Sequence, residues 1–211
     1  MTKRFYLSLF IIIALSLSAC QPAISPNIVR PDNTAVIAAQ AAEQEGDYLT
    51  AAQQYIDLAK AVDEPQKSQF NLRAAVAFWQ LNQLEHVATS LANVNPAVLS
   101  EAQQLDAAIL TANIALIHSL PKQALSALAP FDLTYTASSQ KKQALKLKIQ
   151  AYDLTANWLE KANSHILLEP LLADEEQAIN QPLLWAALMS LEPQALDLFN
   201  PGIPPAVDSG W

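Results

Sequence analysis

The chain has 211 residues, 52% hydrophobic and 15% charged, with 20 acidic against 12 basic side chains and a formal net charge of −8. So apolar a composition excludes a mainly disordered chain, and the acidic balance disfavours nucleic acid and anionic membrane surfaces as partners. Only three glycines occur, Gly46, Gly202 and Gly210, too few for phosphate-cradling loops or tight hairpins, which need glycine at positive φ. Ala and Leu dominate instead, which points to helix throughout.

In chain order, residues 1–19 read as a lipoprotein signal peptide. Lys3 and Arg4 open it, an apolar run from Leu7 to Leu17 follows, and small residues Ser18 and Ala19 lead to Cys20. The run is shorter than the roughly 20 residues of a membrane-spanning helix. Leu17-Ser18-Ala19-Cys20 looks like a bacterial lipobox, which makes Cys20 the lipid-attachment residue. It is the only cysteine in the chain, so no internal disulfide can form. Without Lys3 and Arg4, 20 acidic residues stand against 10 basic ones. Gln21 follows the cysteine where an Asp would mark retention in the inner membrane of Gram-negative lipoproteins, a pattern implying outer-membrane sorting with the folded part facing the periplasm.

Residues 20–31 are the lipidated cysteine and a tether, with Pro22, Pro26 and Pro31 keeping it extended. A helical domain is expected over 32–199. Its clearest unit runs from Ala38 to Pro65. There Gly46 fits a left-handed helix C-cap and Asp47 an N-cap. Ala51, Tyr55, Leu58, Ala59 and Val62 recur at helical spacing. With Ala39 at the small position of the preceding helix, this is the pattern of a tetratricopeptide repeat (TPR), although Ala35 stands where a Trp is common and Pro65 comes late.

Further turns follow at Asn82-Gln83-Leu84, Ser119-Leu120-Pro121 and Ala156-Asn157-Trp158, each 36 or 37 residues after the last. The fold class is therefore all-α, a TPR-like α-solenoid of antiparallel helix pairs with a concave groove able to hold a peptide or partner helix. Leu72, Phe78, Leu81, Leu91, Leu110, Ile114, Leu125 and Leu128 are expected to fill its layers. Asp174 to Asn180 reads as a short acidic helix, and Gln181-Pro182 as the start of another, strongly apolar through Leu183, Leu184, Trp185, Leu188 and Leu191, that could cap the array. Residues 200–211 are a Pro/Gly-rich end, expected to lead to a further carboxyl-terminal domain.

No constellation for catalysis emerges, and no enzyme is expected. His86, His118 and His165 lack zinc-ligand spacing, and no GxSxG or SxxK motif marks a nucleophile. No cofactor or metal is called for. His118 reads as a partly buried histidine at a helix end, Trp79, Trp158 and Trp185 as core, and Asp174-Glu175-Glu176 as a helix first turn. Lys141, Lys142, Lys146 and Lys148 read as a solvated helix face, with a docking patch for an acidic partner as the other reading.

The order of these pieces resembles the amino-terminal TPR-like domain of the LpoA family, outer-membrane lipoprotein activators of a class A penicillin-binding protein. The resemblance runs from Leu17–Cys20 through Gly46-Asp47-Tyr48, Leu72-Arg73-Ala74-Ala75, Ala112 to Leu116 and Ala124 to Leu128. It ends at Asn180-Gln-Pro-Leu-Leu-Trp185-Ala-Ala-Leu188 and Gly210-Trp211. It implies a non-catalytic regulator of peptidoglycan synthesis, held in the outer membrane by its lipid. Its partner would be a penicillin-binding protein or another envelope protein. The second domain of that family is missing here, so the chain reads as a fragment or a natural truncation, and no partner contact is carried over. The alternative is a stand-alone TPR lipoprotein scaffold in outer-membrane protein assembly.

Overall fold

The computed structural model describes residues 33–191. Cys20, the segments 1–19, 20–31 and 200–211, and the last residues of the expected 32–199 domain lie outside the described residues. Those described form nine α-helices and no strand: α1 (Asn33–Gln44), α2 (Tyr48–Lys60), α3 (Gln66–Gln80), α4 (Leu84–Ala92), α5 (Glu101–Ile117), α6 (Pro121–Leu128), α7 (Ser138–Leu154), α8 (Trp158–Leu168) and α9 (Asp174–Met189). Short 3₁₀ turns at Pro96–Val98, Leu133–Tyr135 and Glu169–Leu171 link successive pairs. Each helix packs on its neighbours in the chain, and α5 also packs on both α3 and α7. That is the nearest-neighbour pattern of a solenoid, as the repeat spacing implied.

The four turns inside the pairs share one geometry. Gly46, Asn82, Ser119 and Ala156 all lie in the left-handed region, with φ of 81°, 56°, 57° and 52°. The next residue reaches back five positions in each case: Asp47 N–H to Ala42 O at 2.9 Å, Gln83 to Phe78 at 3.0 Å, Leu120 to Ala115 at 2.8 Å and Asn157 to Tyr152 at 2.9 Å. The left-handed residue itself reaches back three, from Gly46 to Glu43, Asn82 to Trp79, Ser119 to Leu116 and Ala156 to Asp153. These are the two bonds of a Schellman C-cap. The residue that completes each cap also opens the following helix as its N-cap. Asp47 accepts the Thr50 N–H, and Asn157 accepts that of Glu160. One helix therefore ends and the next begins with no residue to spare.

Only the first of these turns uses glycine. An L-residue in the left-handed region is strained by about 1–2 kcal/mol, and Ala156 is exposed with no packing to lose. Glycine's greater unfolded-state entropy offsets roughly half of that gain. Ala156→Gly should therefore stabilise the domain by about 0.5–1 kcal/mol, seen as a higher urea midpoint at unchanged m. A lower midpoint would contradict the strain assigned to this turn.

Alanine is what lets the layers close. Ala39, Ala51, Ala52, Ala74, Ala112, Ala124, Ala144, Ala151 and Ala162 are completely buried, so backbones approach closely wherever helices cross. One cluster of larger side chains gathers Tyr55, Leu58, Phe70, Leu72, Phe78, Val87 and Leu110. A second gathers Leu105, Ile109, Leu128 and Leu147, and a smaller third joins Leu145, Leu168 and Leu172. Of the expected layer residues, Leu72, Phe78, Leu110 and Leu128 are buried; Leu81, Leu91, Ile114 and Leu125 pack half-buried against these clusters.

Tyr55, wholly buried, ties the first three helices together. Its hydroxyl donates to Glu43 Oε2 on α1 at 2.6 Å and accepts from Arg73 Nη1 on α3 at 2.8 Å. Arg73 also lies over the phenol ring at 5.5 Å. Burial and the Glu43 carboxylate push the Tyr55 phenol above its usual range, so it stays protonated and able to donate.

Two expectations at the carboxyl end are corrected. Residues 174–189 form one helix, not two, and it passes through Pro182. A helical φ suits proline; what is lost is the N–H that would bond the Ala178 carbonyl. Docking of Asn180 and Ala187, both buried, holds the helix together across that point. Trp185 is not core: it is 64% exposed, and Ile179, Leu183 and Met189 on the same helix are exposed too. Trp79 and Trp158 are half-buried, and Trp158 carries the Lys161 ammonium 5.2 Å from its ring centroid.

Candidate functional site

The first helices of three successive pairs, α3, α5 and α7, lie side by side and line a cleft of about 490 Å³. Its walls follow from the repeat register. Counting back from the left-handed turn residue, α5 and α7 contribute the same four positions: Asp106 and Gln143 at thirteen, Ile109 and Lys146 at ten, Leu110 and Leu147 at nine, Asn113 and Gln150 at six. Helix α3 supplies Val76, also at six, with Trp79 and Gln80 nearer the turn. The cleft thus repeats one helical face along the array. Its floor is apolar and its upper walls are mostly carboxamides.

Both charged side chains in it are occupied by the fold. Asp106 accepts from Gln140 Nε2 at 2.6 Å, and Lys146 pairs with Glu176 Oε1 on α9 at 3.2 Å. Lys142 takes the other carboxylate oxygen at 2.5 Å. Half of the basic cluster therefore meets the acidic first turn of α9 within the chain itself. Glu176 also accepts the Ala173 N–H at 3.3 Å, the half of a capping box that alanine at the N-cap allows.

These donors, with Lys142 first, the Ala173 N–H next and then Lys146, hold the Glu176 carboxyl at about 2. The folded value lies below the unfolded one. The stabilisation is therefore complete above about pH 4.5 and is lost as pH falls through about 2. Glu176→Gln should remove that part of the acid limb. The stability gap between wild type and variant should narrow as pH drops from 5 to 2 in urea titrations, and a gap constant with pH would reject the pairing.

A smaller notch of about 290 Å³ between α7, α8 and α9 shares Lys146 and Gln150 with the cleft. Ile149, Leu168, Leu172, Ile179 and Leu183 make it apolar. At its base His165 is buried, with Nδ1 2.6 Å from Asn180 Oδ1. Asn180 Nδ2 donates to the His165 carbonyl at 3.2 Å and to Glu169 Oε2 at 2.5 Å. The amide oxygen therefore faces the ring, which assigns the imidazole proton to Nδ1. Nε2 has no partner among the described residues.

The other histidines are placed differently. His118 is exposed, not partly buried, and contributes its backbone N–H as a helix C-cap. His86 is exposed and tilts against Phe78 at 4.9 Å. Among the described residues no group of His, Cys, Asp and Glu could hold a metal, and no helix is long and apolar enough to cross a membrane. Cys20, the expected lipid-attachment residue, lies outside the described residues. The cleft amides and the His165–Asn180–Glu169 network were not singled out from sequence. The 37-residue register points to the amides once Asn113 and Gln150 are aligned on their turns; nothing local marks the histidine network.

Residues 45–201 match the model of a family described as LppC putative lipoprotein. Two curated proteins, the penicillin-binding protein activators LpoA of Edwardsiella piscicida and Edwardsiella ictaluri, are 28% and 27% identical to this chain over 197 residues, 93% of its length. The matched region is 26% and 27% of those proteins, so the chain spans about a quarter of the length of the curated relatives it matches. Among solved structures, the amino-terminal domain of E. coli LpoA aligns over 85% of this chain and 75% of that domain, with a TM-score of 0.51 and 20% identity. That likeness is one of fold.

Proposed function

Because the chain belongs to the LppC putative lipoprotein family, we propose that it is the amino-terminal helical arm of an outer-membrane, lipid-anchored activator of a penicillin-binding protein. The observation that carries this reading is the match of 93% of the chain to two proteins named as such activators. The arm is a regulator without catalysis of its own, anchored through Cys20 and facing the periplasm. A solenoid on a proline-bearing tether suits this role. It adds length in proportion to its repeats, so it carries a partner-binding surface away from the membrane. The portion of the relatives outside the matched stretch is the one we assign to contact with the synthase.

The test compares the 211-residue form with a chimaera that adds the remaining portion of the Edwardsiella piscicida relative, using a purified class A penicillin-binding protein and lipid-linked precursor. The chimaera should raise peptide cross-linking severalfold and the short form should leave it unchanged. Full stimulation by the short form would place the active surface within these residues and end the spacer reading. No effect of either form on any class A synthase would favour the alternative, a scaffold in outer-membrane protein assembly.

A further inference from the structure

The cleft across α3, α5 and α7 has a lining whose chemistry stands independently of the activator reading. We propose that it takes an uncharged peptide segment in extended, polyproline-II-like conformation, held through its main chain.

Free hydrogen-bonding capacity is the first argument. Gln80, Gln143 and Gln150 have exposed carboxamides with no side-chain partner among the described residues. Asn113 spends only Nδ2, on the Ile109 carbonyl at 2.8 Å, leaving its oxygen open. A carboxamide carries both an acceptor and donors on one planar group, so it can pair with the N–H and with the C=O of a peptide main chain. Four of them, from three successive helices, face one cleft. Polyproline II is the backbone conformation that leaves its own polar groups free, since it makes no internal hydrogen bonds.

Charge is the second argument. Asp106 and Lys146 are engaged within the fold, so the cleft offers a ligand no unpaired charge. In a protein of net charge −8, an acidic ligand is repelled, and with Asp106 engaged the cleft offers a basic one no free carboxylate. A neutral segment is what this surface complements.

Period is the third. Packed helices lie about 8–10 Å apart, and a polyproline II chain repeats its facing side every three residues, or about 9.3 Å. Every third residue of such a chain therefore meets the next helix of the array at the same register. Asn113 and Gln150, which stand six residues before their turns, supply equivalent contacts on successive helices. Trp79, only partly exposed, lines the cleft at one end, an aromatic surface suited to a proline ring.

The test is calorimetric. The purified protein is titrated with the acetylated, amidated nonapeptide (Pro-Ala-Pro)₃, which spans about three repeats. Saturable binding is expected, unaffected by raising NaCl to 0.5 M, and weakened about ten-fold or more in Gln143→Ala/Gln150→Ala. Both glutamines are exposed, so the variant should keep the wild-type melting temperature. A peptide with aspartate in place of each alanine should bind more weakly. The proposal is overturned by any of three outcomes: no saturation at millimolar peptide, equal affinity in the double variant, or chitotetraose binding at this cleft in preference to the peptide, which would make the amides a sugar site.

Discussion

Tyr55→Ala should cost the domain about 3–5 kcal/mol, the range for emptying a buried aromatic site. The phenol is completely buried, stacks 6.2 Å from Phe70 and carries the only hydroxyl joining α1, α2 and α3 among the described residues. Its removal leaves a cavity in the first core cluster and takes from Arg73 and Glu43 their common partner. Tyr55→Phe separates the two effects. It keeps the ring and loses the hydroxyl, at a cost of about 1–2 kcal/mol. Urea unfolding would give both numbers. Because stability in such arrays is local, amide exchange should accelerate over α1–α3 well before α7–α9. A loss below 1 kcal/mol for the alanine variant, or uniform acceleration along the chain, would show that Tyr55 is not the tie described.

The second large effect is on location. Cys20→Ala should abolish palmitate labelling and move the protein from the membrane fraction to the soluble periplasmic fraction. The change is expected to be nearly complete, because stable anchoring requires more than one acyl chain and this residue is the single cysteine available to carry them. The variant's fold and melting temperature should not change, since the described helices begin at Asn33. Membrane retention of an unlabelled variant would show that some other segment holds the protein there.

Much of this fold can be read from the residues, and the reason is physical. Helix pairs announce themselves by apolar spacing, and Ala39, Ala51, Tyr55 and Leu58 fall where close packing and a filled core require them. Turn positions were legible as interruptions of that spacing. Their shared left-handed geometry was legible at Gly46 and compatible with Asn82, whose side chain tolerates that region, but not at Ser119 and Ala156, which adopt it under tertiary constraint rather than by preference. Pro182 misled for the same reason. Its propensity to open a helix is a local fact, and the docking of Asn180 against His165 that overrides it is fifteen residues away.

Trp185 shows a different limit. An apolar helix declares that it seeks a partner surface, not which of its faces is covered, and here the tryptophan faces out. The lysines fared likewise, since the carboxylate that meets Lys142 and Lys146 lies 34 and 30 positions on. The cleft sits between these cases. Its positions are periodic and so implicit in the sequence, but the carboxamides there become a site only when α3, α5 and α7 stand abreast.

The turns that serve at once as the end of one helix and the start of the next have a mechanical consequence. Within a pair there is no slack, so each pair moves as a stiff link. The looser connections are the longer ones between pairs, at 93–100 and 129–137; at 61–65 the Tyr55 network and the close packing of α2 on α3 bind the first two pairs together. Load applied along the array should therefore fall first on those longer connections. Each pair that gives way frees about 37 residues, roughly 120–130 Å of contour. A tether built this way can lengthen in discrete increments as the distance it spans grows, while the links that remain folded keep their shape.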